Sequence, residues 1–265
     1  MHYLTYVLGV PSNFRGESLC KSLRDFGIAP EIVFGPEIET DFELIQKSTN
    51  NDYAIFTMRR RIKPQEVACC LGHLRMYARL FESRAEWGIF LEDDAICIEN
   101  PKSLIEKMPI TNKPCHIFLH DGPGTNLNLW SAGSDPLSGL GMIRRLDPQY
   151  GAYGYALNRA AVGLILKSKT VRYINTPDWP YLWPRRIKFY KSDKVFFMHP
   201  EDMSMSIIGE RINAQAQLIN QLPSFFRFIS GVKLGIGVRE TFYREVTLKL
   251  IRLTFQIAKK IGFSK

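Results

Sequence analysis

The feature that most limits the fold of this chain is a short, unbroken apolar run, Gly88-Ile89-Phe90-Leu91, that ends directly in Glu92-Asp93-Asp94. A run without polar alternation suits a central strand covered on both faces, and charged residues straight after it belong at the strand's carboxyl end. Three consecutive carboxylates there raise one another's pKa unless a cation neutralises them. That points to a divalent metal or, as the plain alternative, to a solvated acidic turn. His116-Ile117-Phe118-Leu119 repeats the pattern and ends in His120-Asp121-Gly122, so two strand ends are expected to bring carboxylates to one edge.

The rest of the chain reads as strands alternating with helices. Residues 3–9 form an apolar strand, Leu19, Leu23 and Phe26 share one face of a following helix that ends at Gly27, and Ile32-Val33-Phe34 closes a βαβ unit at Gly35-Pro36. Pro64 opens a long helix with Val67, Cys70, Leu71, Leu74, Ala78 and Phe81 at helical spacing. Residues 122–141, rich in Gly, Asn, Ser and Pro, read as a long loop of the kind used for binding or as a lid. A strand over Tyr150–Leu157, a helix from Asn158 through Leu166 and a last strand over Val195–Met198 follow. No internal repeat is present.

Composition narrows the class. With 265 residues, 45% hydrophobic and 23% charged, the chain can bury a sizeable core and is neither disordered nor a multi-span membrane protein. The start lacks a basic n-region and a cleavage site, so a cytosolic location is expected. Five cysteines at 20, 69, 70, 97 and 115, without a C-x-x-C pair, read as buried small hydrophobes; adjacent Cys69 and Cys70 point in different directions on a helix and read as packing. Of the net charge of +9, the stretch 223–265 supplies +7, from nine Lys/Arg against two Glu. Its interleaved apolar and basic residues, from Phe242 to Ile261, suit a basic amphipathic helix on an anionic membrane surface, or a C-terminal helix docked on the domain.

Several segments together carry a family resemblance. Arg15 after the first strand, Lys63-Pro64-Gln65-Glu66-Val67-Ala68-Cys69-Cys70-Leu71-Gly72-His73-Leu74, Ile89-Phe90-Leu91-Glu92-Asp93-Asp94-Ala95 and Tyr153-Gly154-Tyr155-Ala156-Leu157-Asn158-Arg159-Ala160-Ala161 resemble glycosyltransferase family 25 in order and spacing. The family usually has Ser-His where this chain has Gly72-His73. The resemblance implies an α/β, GT-A-like domain over about residues 1–222, with a mostly parallel sheet flanked by helices and a basic helical tail over 223–265. It implies inverting transfer of galactose from UDP-galactose to a bacterial lipooligosaccharide acceptor with Mn²⁺ or Mg²⁺. In that reading Asp94 contacts the metal, Glu92 supports it, His199 completes the metal site by analogy of fold, and Asp93 meets the donor sugar. Arg15, Glu66 and His73 lie near the donor.

The residues themselves leave other readings open. Glu66 and His73, seven apart on one helix, suit a surface glutamate and a partly buried histidine equally well, and Arg15 suits an ordinary exposed arginine. Direct displacement needs a base on the acceptor side; Asp178, in Thr176-Pro177-Asp178-Trp179-Pro180-Tyr181-Leu182-Trp183, is the candidate with Asp121 in reserve, although Asp beside Pro is also a turn signal. The expected partners are a UDP-sugar, a lipid-linked saccharide and the inner face of the inner membrane, with no nucleic acid. The rivals are metal-dependent phosphoester hydrolysis and a noncatalytic membrane-associated protein.

Overall fold

The computed structural model describes residues 3–49, 62–120, 142–145, 152–167, 187–192 and 194–200. The chain divides into two compact units, residues 1–49 with 63–209 and residues 50–62 with 210–265. All the elements named below belong to the first unit. The expected boundary near 222, the loop 122–141, Asp121, Asp178 and the basic tail lie outside the described residues.

The strands are β1 (Tyr3–Gly9), β2 (Pro30–Phe34), β3 (Trp87–Glu92), β4 (Ile96–Cys97), β5 (Cys115–Phe118), β6 (Met142–Arg145), β7 (Gly154–Asn158), β8 (Lys188–Ser192) and β9 (Phe197–Met198). The helices are α1 (Glu17–Asp25), α2 (Phe42–Ser48), α3 (Pro64–Glu82), α4 (Lys102–Glu106) and α5 (Arg159–Lys167), with a 3₁₀ turn over Pro11–Asn13. Seven strands form one sheet in the order β2-β1-β3-β7-β5-β8-β6. β1 pairs in parallel with β2 and β3, and β5 in parallel with β8. β7 runs antiparallel between β3 and β5, and β6 antiparallel to β8. Five strands therefore share one direction, and the expected α/β class with a mostly parallel sheet flanked by helices is what the chain adopts.

Alternation along the central strands sorts their side chains to two cores. Val7, Trp87, Ile89, Leu91, Ile117 and Ala156 pack with Leu19 and Leu23 of α1 and with Leu104 and Ile105 of α4. Tyr6, Leu8, Phe90, Phe118 and Tyr155 pack on the other face with Met76, Tyr77 and Leu80 of α3 and with Val162 and Ile165 of α5. Burial on both faces explains why β3 reads as a solid apolar run. α1 ends where Gly27 takes φ +73, with Gly27 N–H donating to the Arg24 carbonyl and Ile28 N–H to that of Leu23, a left-handed C-terminal cap that favours glycine. α5 starts at Asn158, whose Oδ1 accepts from Ala161 N–H at 3.0 Å, as an N-cap does.

One local expectation is corrected, and two strands are added. The last strand is only Phe197–Met198, and it pairs with β4 in a separate two-stranded sheet rather than in the main one. The sequence reading also passed over β6 and β8, which extend the sheet beyond β5.

Candidate functional site

In open α/β sheets ligands bind beyond the carboxyl ends of the parallel strands. Here β1, β3 and β5 end at one edge, and the antiparallel β7 begins there, its Gly154 carbonyl accepting from Leu119 N–H. The Glu92-Asp93-Asp94 triplet lies at this edge: Arg15 bonds Asp93 and Asp94, His199 meets Asp94, and Glu92 meets Cys69 and His73.

Asp93 is tied to the segment that follows β1. Arg15 N–H donates to its Oδ2 at 3.1 Å and Arg15 Nη2 to its Oδ1 at 3.1 Å. Gly16 lies against it closely enough that an added Cβ would come 3.3 Å from the Asp93 Cβ and 2.7 Å from the Phe14 ring. Asp93 is only 7% exposed. Burial pushes its pKa up, and the Arg15 hydrogen bonds and charge work against that rise. Arg15, expected at the donor, bonds both acids: Nη2 also reaches Asp94 Oδ2 at 3.4 Å.

Asp94 faces His199. The His199 Nε2 lies 3.3 Å from Asp94 Oδ2, and its Nδ1 donates to the Pro200 carbonyl at 3.0 Å. Burial raises the Asp94 pKa, but the hydrogen bond and charge of His199, together with Arg15, outweigh it and hold the carboxyl below its usual value. The hydrogen bond to Asp94 raises His199 to about 9, against a smaller opposing effect of burial, so the ring is an imidazolium at neutral pH with both nitrogens donating. Asp94 Oδ1 is buried and has no hydrogen-bond partner among the described residues. A buried carboxylate oxygen left open is unusual. The open carboxylate oxygen suits Mn²⁺ or Mg²⁺, and His199 can join it as a ligand once Nε2 has given up its proton. The residues present therefore fit the metal that the sequence resemblance implies.

Glu92 turns away from that pair. Its Oε1 accepts the Cys69 S–H at 3.5 Å and meets His73 Nε2 at 3.2 Å. His73 Nδ1 lies 2.6 Å from the Tyr155 hydroxyl, which in turn bonds the Tyr77 hydroxyl. With Nε2–H donating to the acid, Nδ1 accepts from Tyr155 and Tyr155 accepts from Tyr77, so the chain has one consistent direction. His116 stacks on Tyr155 at 5.1 Å and 9°, and burial drives its pKa well below the usual value.

The structure thus brings Arg15, Asp93, Asp94 and His199 together, and joins His73 to Glu92. Glu66 is fully buried and accepts from Lys63 N–H at 2.9 Å, bracing the start of α3. His73 is fully buried as well, so both stand behind the edge rather than on it, and His73 acts on the site through Glu92. Cys69 packs against the core on the α3 side of the sheet, as expected, and its S–H in addition reaches Glu92 across the interface of α3 and β3. Tyr155 and Tyr77 were missed altogether, since nothing in an apolar strand or helix face marks which hydroxyl meets which imidazole.

Fold and site together define an α/β protein with a carboxylate, arginine and histidine cluster at the ligand-binding edge of its sheet. Residues 21–126 match the family model described as Glycosyltransferase family 25 (LPS biosynthesis protein), so the resemblance is shown over a stretch that includes α3 and the acidic triplet, and it supports glycosyl transfer in LPS biosynthesis as the class of activity. No curated protein matches. A Bacillus anthracis structure described as a glucose-1-phosphate thymidylyltransferase in complex with a sucrose is 11% identical, covering 83% of this chain and 96% of its own, at a TM-score of 0.36. S. aureus TarS 1–349 is 13% identical, covering 93% of this chain and 72% of its own, at 0.32. At such scores neither likeness informs the site.

Proposed function

We propose that this chain transfers galactose, with inversion, from UDP-galactose to a growing lipooligosaccharide, using a GT-A-like site with Mn²⁺ or Mg²⁺. The observation that carries the reading is the family match over residues 21–126, which contains the acidic strand end whose Asp94 keeps a buried oxygen open. Asp94 and His199 would hold the metal, with Glu92 in support; bound there, it supplies Lewis-acid stabilisation of the leaving diphosphate.

The chain's own residues do the positioning. Arg15 holds Asp93 and Asp94 in register by bonding both, and its charge opposes the rise that burial imposes on both carboxyls. His73 orients Glu92 from behind. Asp178, with Asp121 in reserve, takes the acceptor hydroxyl's proton, and the Trp and Tyr rings of 179–183 stack on sugar faces. The basic tail 223–265 brings the site to lipid-linked acceptor at the inner face of the inner membrane, each basic residue adding on the order of 1 kcal/mol of attraction. Among the described residues no helix is long and apolar enough to cross a membrane.

The test is UDP release from UDP-galactose by the full chain with Mn²⁺, with and without a saccharide acceptor. Transfer predicts release that rises with acceptor and is lost on chelation and in folded Asp94→Asn. Phosphate release indifferent to acceptor would replace transfer by phosphoester hydrolysis.

A further inference from the structure

We propose that Cys69, His73 and Glu92 form a second metal site, of the kind that takes Zn²⁺. Among the described residues they are the group of three His, Cys, Asp or Glu side chains whose ligand atoms all lie within 4.8 Å of one another. Cys69 and His73 are four residues apart on α3 and so stand one above the other on one face, while Glu92 comes from the end of β3, against which that face packs. Sulfur, imidazole nitrogen and carboxylate oxygen together suit zinc far better than magnesium.

The two spacings to Glu92 already match, and the third, Cys69 Sγ to His73 Nε2, lies within 4.8 Å. Zn–S of about 2.3 Å and Zn–N and Zn–O of about 2.0–2.2 Å place tetrahedral neighbours about 3.4 Å apart for N and O, and about 3.6 Å for S and O. The structure has His73 Nε2 at 3.2 Å and Cys69 Sγ at 3.5 Å from Glu92 Oε1. The outer support is present as well. A metal-bound histidine normally donates its other N–H to a fixed acceptor, and here the Tyr155 hydroxyl stands 2.6 Å from Nδ1, backed by Tyr77. Three protein ligands leave a fourth position, and Cys69 and Glu92 are only half-buried, which gives the ion a way in.

Binding is written as follows. The Cys69 S–H bond breaks and its proton goes to the buffer; the His73 proton passes from Nε2 to Nδ1, where it donates to the Tyr155 oxygen, the Tyr155 and Tyr77 hydroxyls turn to donate in the opposite direction, and Nε2 offers its lone pair to the ion. One proton is released in net, so affinity rises with pH. The site shares only Glu92 with the metal reading at Asp94 and His199, takes its other two ligands from α3, and does not rest on the glycosyl-transfer reading.

The test uses reduced, metal-free full-length protein titrated with Co²⁺, then Zn²⁺. One equivalent of Co²⁺ is expected to give a thiolate-to-cobalt charge-transfer band with the intense visible bands of four-coordination, all displaced by Zn²⁺. Asp94→Asn and Cys97→Ser keep the bands, Cys69→Ser loses them, and Tyr155→Phe weakens metal affinity ~10–100-fold. X-ray absorption on the wild-type zinc protein, which needs no variant to fold, is expected to show one sulfur at about 2.3 Å with nitrogen and oxygen neighbours. Absence of the sulfur, absence of the charge-transfer band, or its persistence in folded Cys69→Ser overturns the site.

Discussion

Replacing Arg15 by Gln tests how the acidic cluster is held. Arg15 is 18% exposed, Asp93 7% and Asp94 14%, and the guanidinium bonds both acids. Breaking a buried ion pair from one side typically costs ~3–5 kcal/mol. Here the glutamine keeps the backbone N–H to Asp93 and Asp94 keeps His199, so the expected loss in metal-free protein at neutral pH is about 2–4 kcal/mol. For a unit of this size that lowers Tm by roughly 5–15 °C. The loss has a defined pH dependence. Without Arg15 the Asp93 carboxyl, already raised by burial, moves further up, and Asp94 loses part of what holds it down. Both changes disfavour the folded state only where the carboxyls are ionised in the unfolded chain. The deficit is therefore largest at neutral pH and shrinks as pH falls toward about 4. Urea denaturation in chelator, followed by fluorescence of the buried Trp87 among the chain's tryptophans, measures this at pH 4.5 and 7.5. Equal stability of the two proteins at pH 7.5, or one deficit at both values, would refute the reasoning.

Two further outcomes follow from the same geometry. His199 is raised from 6.5 to about 9 by Asp94, so the pair's stabilisation is complete below pH ~6.5 and is lost as pH rises through about 9; the difference corresponds to at most ~3 kcal/mol, which partial exposure reduces to ~1–2 kcal/mol, and His199→Gln is expected to flatten that slope in metal-free thermal melts. Gly72→Ser restores the residue usual in the family, but an added Cβ lies 2.5 Å from Leu8 Cδ1 and 3.3 Å from the Gly35 Cα; crowding of ~1–3 kcal/mol exceeds the ~0.5 kcal/mol gain in helix propensity, so the variant should melt lower than wild type and recover in part when Leu8 is trimmed to Ala.

Much of the fold was legible because its signals are local. β3 is buried on both faces and so reads as a solid apolar run, and α3 announces itself through Pro64 and its apolar spacing. β8 was not legible: Lys188-Phe189-Tyr190-Lys191-Ser192 has neither an apolar run nor a clean alternation, and pairing with β5 and β6 makes it a strand. The site divides in the same way. Carboxylates at a strand end can be read from three consecutive letters, but the bond of Arg15 to an acid 78 positions away is set by the approach of two loops. Adjacent cysteines do point apart on a helix, as expected, yet that rule does not say what each one meets; Cys69 meets Glu92 because α3 lies along β3.

Transfer of galactose from a nucleotide donor is the activity proposed for this chain. It is tested most directly by incubating the full chain with UDP-galactose, Mn²⁺ and a defined lipooligosaccharide acceptor, and assigning the product linkage by NMR. The expected product is a new β-linked galactose, inverted from the α-linkage of the donor, with no product from Asp94→Asn. An α-linked product would contradict inversion, and galactose or phosphate set free without attachment to acceptor would contradict transfer itself.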